Sequence, residues 1–361
     1  MTRIKASNKT ADIPFLIMHE LNNAGIQKHL TWLFYTGLVE IHAFELYLIS
    51  VFIVYGIQHE DFRVAVLFTL LTILSFVLWH FVSHRRKNLF IIIQILKTRK
   101  ATLKKNLNKK WMRVLNWIAF TVSVSPVFLS VLHVTTTYEI HASDYFVYGY
   151  KNMEDRLRFL LCIVGAYAQY VIFVKHPLLI VLSLCVLINA SGLLLYQYGR
   201  NLKCFISSEN SSFKEYLKIV ELIHFLNNTL SNLLFIALLI GLLSIYMALE
   251  YGLNNASYLT IYTVEASASV LTGILILCSL TVCSSKIPEF MSSIKTTAGF
   301  LIDHKLSDSI SQKNEFLFLK RIEEKSVVHL SAGGMINIRR RFLLSAFGAL
   351  FTYGILISGL D

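Results

Sequence analysis

Proline is nearly absent, with four residues in the chain, and no Ser/Gly/Pro-rich stretch occurs. Flexible linkers and disordered regions of that composition are therefore excluded, which leaves one domain without internal repeats. Charge is scarce as well, at 16% of residues, against about 25% in soluble domains. The five cysteines, Cys162, Cys185, Cys204, Cys278 and Cys283, form no CxxC and no Cys/His pair at zinc spacing, so they read as free thiols. HExxH, GxSxG and Walker A motifs are missing, as are carboxylate pairs at metal spacing, so neither an enzyme, a metal nor a cofactor is expected. Residues 1–31 lack the continuous apolar core of a cleavable signal peptide.

What the chain has instead is apolar length: 55% of its residues are hydrophobic. A helix needs about 20 such residues to cross the hydrocarbon core. Apolar stretches cover 32–56, 63–83, 113–134, 158–175, 177–197, 229–249, 258–282 and 342–360. The net charge of +12 comes without any aromatic-and-basic nucleic-acid module, and in a membrane chain it marks cytoplasmic loops. Residues 84–113 hold eleven Lys/Arg and no acid, which places this loop and the N-terminus inside. With 158–197 counted as one crossing, the inner segments 1–31, 84–113, 200–228 and 283–341 carry 29 Lys/Arg and the outer loops carry 2. Splitting 158–197 would put one of the two most basic loops outside. On this reading Lys175 snorkels at the inner interface, Pro177 kinks the helix, and 177–199 continues below the membrane. The helical periodicity of Tyr216, Leu217, Val220 and Ile223 supplies a packing partner there.

The expected fold is therefore all-α, with seven transmembrane helices, a cytoplasmic N-terminus, an extracellular C-terminus and a cytoplasmic helical anchor bundle. The domain spans residues 32–361 behind a cytoplasmic segment 1–31. Of the Asn-x-Ser/Thr sequons only Asn255 falls in an expected outer loop, making it the candidate glycosylation site.

The last stretch, "VVHLSAGGMINIRRRFLLSAFGALFTYGILISGLD", joins a small-residue element (Ser331, Ala332, Gly333, Gly334) to a basic break and a final helix. That helix contains Gly348-Ala349 and Thr352-Tyr353. From about residue 316 onward the chain resembles the C-terminal signature of insect gustatory receptors, whose topology is the reverse of a G-protein-coupled receptor's. Gly359-Leu360 stands where that family has Gln-Phe, the mark of a divergent member. The resemblance implies a ligand-gated, non-selective cation channel that detects a small-molecule tastant in the plasma membrane of chemosensory neurons. It further implies a homo- or heterotetramer whose final helices line one central pore. Membrane lipid is then the other partner, and nucleic acid is not one.

In a helix over 342–360, Ser345, Ala349, Thr352, Leu356 and Gly359 share one face. Leu356 matches the apolar residue that constricts the pore in this family, and an apolar ring gates by dewetting. Small residues at this spacing also serve close helix packing. Ionisable groups within spans are functional suspects because burying them is costly: Glu40, His42 and Glu45 in the first span, His133 in the third and Glu265 in the sixth. Each could equally pair with a polar neighbour. Glu45, His133 and Glu265, walled by Tyr167, Tyr246 and Tyr262, form the candidate ligand pocket. Two other readings stand beside the channel: a seven-span receptor coupled to a cytosolic partner through 84–113, and a small-solute transporter.

Overall fold

Long apolar runs with almost no proline have one stable form where water is absent, because a helix satisfies its backbone polar groups internally. The computed structural model accordingly consists almost wholly of helices. It describes residues 27–59, 62–102, 109–138, 144–148, 153–205, 209–254, 263–305 and 313–358. The helices are α1 (Gln27–His59), α2 (Phe62–His84), α3 (Arg86–Thr102), α4 (Lys109–Thr137), α5 (Asp155–Tyr170) and α6 (His176–Phe205). They continue with α7 (Glu209–Asn254), α8 (Thr263–Lys305), α9 (Lys313–Glu324) and α10 (Arg340–Ser358). A 3₁₀ turn, Asp144–Val147, precedes α5, and a two-stranded hairpin, Ser331–Ala332 with Ile336–Asn337, precedes α10. Buried hydroxyls are absorbed locally: Thr72, Ser183, Ser191 and Ser244 each donate to the carbonyl four residues back.

Among the described residues five helical segments are long and apolar enough to cross a membrane: Ala65–His84, Arg113–Thr137, Asp155–Leu202, Glu215–Glu250 and Thr263–Asp303. A shorter apolar helix covers Ile41–Ile57. On α4, Trp117, Phe120 and Phe128 are 60–68% exposed, a surface suited to lipid rather than water.

Residues 155–205 run as one rod, interrupted only by a π-helical segment at Val171–Lys175. Its cause is Pro177, whose ring would clash with the carbonyl four residues back and which lacks an N–H to bond it. A wider turn just upstream absorbs that mismatch. Val171 to Val174 are all buried there, and Phe173 joins Phe52 and Phe68 in an aromatic stack with centroids 4.7–6.2 Å apart. Residues 209–254 are likewise a single helix.

Two close approaches set the bundle's register. A Cβ on Gly273 of α8 would lie 2.6 Å from the carbonyl oxygen of Gly241 on α7, so small residues bring these antiparallel backbones together. The second pair, α6 and α8, runs parallel and in step. Asn189 accepts a hydrogen bond from Lys286 (3.1 Å), Tyr196 packs on Phe290, and Gly199 abuts Ile294.

The hairpin that leads into α10 clasps α7. Asn227 Oδ1 accepts from the Ser331 backbone N–H (2.8 Å), while the N–H groups of Gly333 and Gly334 donate to the carbonyl and hydroxyl of Ser231 (2.9 Å each). Both glycines have positive φ, 61° and 72°, where a side chain is strained. That explains the paired glycines of the "SAGG" stretch.

Candidate ligand site and final helix

Four elements converge on a buried polar cluster. From α5, Gln169 donates its amide to Glu265 Oε1 on α8, and the adjacent Tyr170 hydroxyl bonds His133 Nδ1 on α4 at 3.2 Å. From the 3₁₀ turn, Tyr145 donates to Gln169 Oε1 at 3.2 Å. Glu265, His133 and Gln169 are at most 2% exposed, yet Glu265 Oε2 and His133 Nε2 have no hydrogen-bond partner among the described residues. A buried polar atom without a partner loses its hydration uncompensated.

The 3₁₀ turn caps this cluster. Phe146 packs edge-on against His133 with centroids 6.0 Å apart, and its carbonyl accepts from the Tyr47 hydroxyl at 2.6 Å. The hydroxyls of Ser50 and Tyr148 bond at 2.7 Å. Tyr148 itself has φ 55°, a left-handed conformation uncommon for a residue with a bulky side chain. Gly165 on α5 makes room for the cap, since a Cβ there would lie 2.6–2.7 Å from three Phe146 atoms.

Of the residues singled out by sequence, the structure brings together His133 and Glu265, bridged through Tyr170 and Gln169. Tyr167 lies on the same helix against Phe44 of α1. Glu45 is 3% exposed, and its Oε2 has no hydrogen-bond partner among the described residues. His42 instead meets Phe76 and His80 of α2. Tyr246 does not join the cluster: it hydrogen-bonds Glu250 (3.1 Å) and packs on Tyr353 of α10, centroids 5.4 Å apart. Tyr262, Asn255 and Gly359 lie outside the described residues, as do the side chains of Glu40 and Leu356. Sequence reasoning missed Tyr145, Phe146, Gln169 and Tyr170. A glutamine inside an apolar span was the available signal.

On α10, Ala346 is buried, whereas Ser345, Gly348, Ala349 and Thr352 are exposed and Leu344 and Phe351 are more than 70% exposed. The Thr352 and Ser345 hydroxyls bond carbonyls of their own helix, leaving an apolar and small-residue face open. At its start Arg340 pairs with Glu289 of α8 at 2.9 Å, and Arg339 bonds His329 at 3.1 Å. Burial and the Arg339 guanidinium hold the His329 imidazole below its usual pKa.

No family model and no curated protein sequence matches this chain. Solved structures do. The insect olfactory receptor OR5 from Machilis hrabei superimposes with a TM-score of 0.67 at 13% identity, covering 97% of both chains. The same receptor in complex with eugenol gives 0.64 at 12% identity, again over 97% of both. The chain thus has the fold of an insect olfactory receptor.

Proposed function

We propose that this chain is a gustatory-receptor-like, ligand-gated, non-selective cation channel with a small-molecule ligand in the cluster at His133 and Glu265. The observation that carries the reading is the likeness in fold to an insect olfactory receptor over 97% of both chains. The C-terminal signature supports the gustatory assignment. In this reading the membrane is the plasma membrane of a chemosensory neuron, and the chain forms a homo- or heterotetramer. The open face of α10, with Ser345, Ala349, Thr352, Leu356 and Gly359, lines a central pore. Binding at the cluster favours the state in which the ring at Leu356 wets. That one related structure holds eugenol favours a small organic ligand here, and the orphan carboxylate oxygen and imidazole nitrogen favour one that hydrogen-bonds.

Cysteine scanning of α10 tests the pore. In cells expressing the chain, Ala349→Cys or Thr352→Cys should confer block of the evoked or basal current by a charged thiol reagent, while Phe347→Cys, half-buried on the opposite side, should not. Currents indifferent to reagent at every position would refute the pore assignment. Electrical silence, with activity that depends on a cytosolic partner, would favour the coupled-receptor reading.

A further inference from the structure

We infer that Cys185 on α6 and Cys283 on α8 form an oxidation site, at which a hydroperoxide converts the two thiols into a disulfide that ties these helices together. In sequence the cysteines are far apart and match no motif. In the fold the two thiols face each other across the α6–α8 contact, while the Ser279 hydroxyl donates to the Ile276 carbonyl of its own helix (3.3 Å). One turn further along the pair, Lys286 donates to Asn189, and its ammonium lies within electrostatic reach of both sulfurs. The parallel register of α6 and α8 holds the contact in place. A Cβ on Gly199 would lie 2.9 Å from the Ile294 side chain, so the two helices pack closely along this stretch, and a disulfide needs such proximity.

The two cysteines differ in the way that a reacting and a resolving thiol differ. Cys283 is partly exposed and Cys185 is 7% exposed. Thiolate character near a cation, some access and a neighbouring second thiol mark sites that oxidise reversibly. Cys283 lies about 30 Å along α8 from Thr263, roughly one hydrocarbon thickness, and Lys286, Glu289 and Lys295 follow it. With Thr263 at the outer edge of the apolar layer, as the proposed topology has it, the pair stands at the inner edge, within reach of a small aqueous peroxide. Among the other described cysteines, Cys162 is fully buried and Cys278 is partly exposed, and Cys278 serves as the internal control.

The chemistry balances. Cys283 thiolate attacks the outer peroxide oxygen, the O–O bond breaks, and a sulfenic acid forms while the leaving alkoxide takes the thiol's proton. Cys185 sulfur then attacks the sulfenic sulfur, the S–O bond breaks, and hydroxide departs as water with the Cys185 proton. Two thiols lose two electrons in all and one hydroperoxide gains them, giving a disulfide, an alcohol and water. The product clamps α6 to α8, the helix that leads through α9 and the hairpin to α10.

The test treats the full chain in membranes with hydrogen peroxide, then alkylates it and digests it without reductant for mass spectrometry. The expected product is one cross-linked peptide pair joining Cys185 to Cys283 and reversed by dithiothreitol, with Cys278 still alkylated. Lys286→Met should slow its formation about three- to ten-fold, and Lys286→Arg should restore the rate. In Cys185→Ser, which removes only the resolving thiol, Cys283 should accumulate as a sulfenic acid trapped by dimedone. Both thiols remaining alkylatable, sulfinic acid at Cys283 without a cross-link, or equal oxidation of Cys278 would each overturn the proposal.

Discussion

Replacing Gly165 by alanine asks whether the cap on the polar cluster is held by close packing. The added Cβ would stand 2.6–2.7 Å from Cβ, Cγ and Cδ1 of Phe146, closer than real side-chain contacts allow. Because one of those atoms is the Phe146 Cβ, a rotation of the ring does not relieve the clash. The 3₁₀ turn has to lift away from α5, breaking the packing on His133 and stretching the 2.6 Å bond from Tyr47. Overpacking of this kind costs about 1–3 kcal/mol, offset by the roughly 0.4–1 kcal/mol that alanine contributes over glycine in a helix. The net expectation is a loss of about 1–2 kcal/mol. The matched control is Gly192→Ala on α6, where the new Cβ would find only ordinary contact with Phe290 at 3.5 Å and the helix-propensity gain should dominate. Thermal unfolding of the purified chain in detergent should place Gly165→Ala several degrees below and Gly192→Ala at or above the parent. If the two variants melt together, or Gly165→Ala is the more stable, Phe146 does not pack on Gly165 and the cap is wrongly drawn.

Asn227→Ala leaves the Ser331 N–H without its acceptor and should destabilise the chain by about 1 kcal/mol; melting should show Asn227→Asp, which keeps an acceptor, recovering part of it. His329, whose pKa is held below the usual value by burial and Arg339, binds protons more readily when unfolded, so it lowers stability as pH falls below about 6.5. Stability measured from pH 7.5 to 5 should fall less steeply in His329→Asn, and an identical slope would show that His329 does not contribute. Leu356→Ala should raise basal conductance in transfected cells by shrinking the apolar ring, and an unchanged closed state would place the gate elsewhere.

Apolar run length was enough to read a helical membrane chain, because a helix is the one backbone form that long uninterrupted hydrophobic sequences support in lipid. Charge suggested treating 158–197 as one crossing, because that puts the 84–113 and 283–341 loops on one side, and the structure has one continuous rod from Asp155 to Phe205. Pro177 marked a distortion in that rod but not its form, since the wider turn falls on the residues before the proline. His133 and Glu265 stood out in the sequence because ionisable groups within spans are rare. Their partners Gln169 and Tyr170 did not, because a neutral side chain in a span looks unremarkable until the facing helix is known. The neighbours of Tyr246 were not legible for a related reason. Depth in the membrane is readable from position, but which face of α7 meets which neighbour depends on register, and the register put it against Tyr353. The Cys185–Cys283 pair was invisible for the same cause.

The central claim is that this chain by itself conducts ions on binding a ligand. The most direct measurement is single-channel recording from the purified chain reconstituted in planar bilayers, parent beside Leu356→Ala. The account predicts unitary cation currents, rare in the parent without ligand and frequent in the variant. Electrically silent bilayers for both proteins, with reconstitution verified by protease-resistant incorporation, would contradict it.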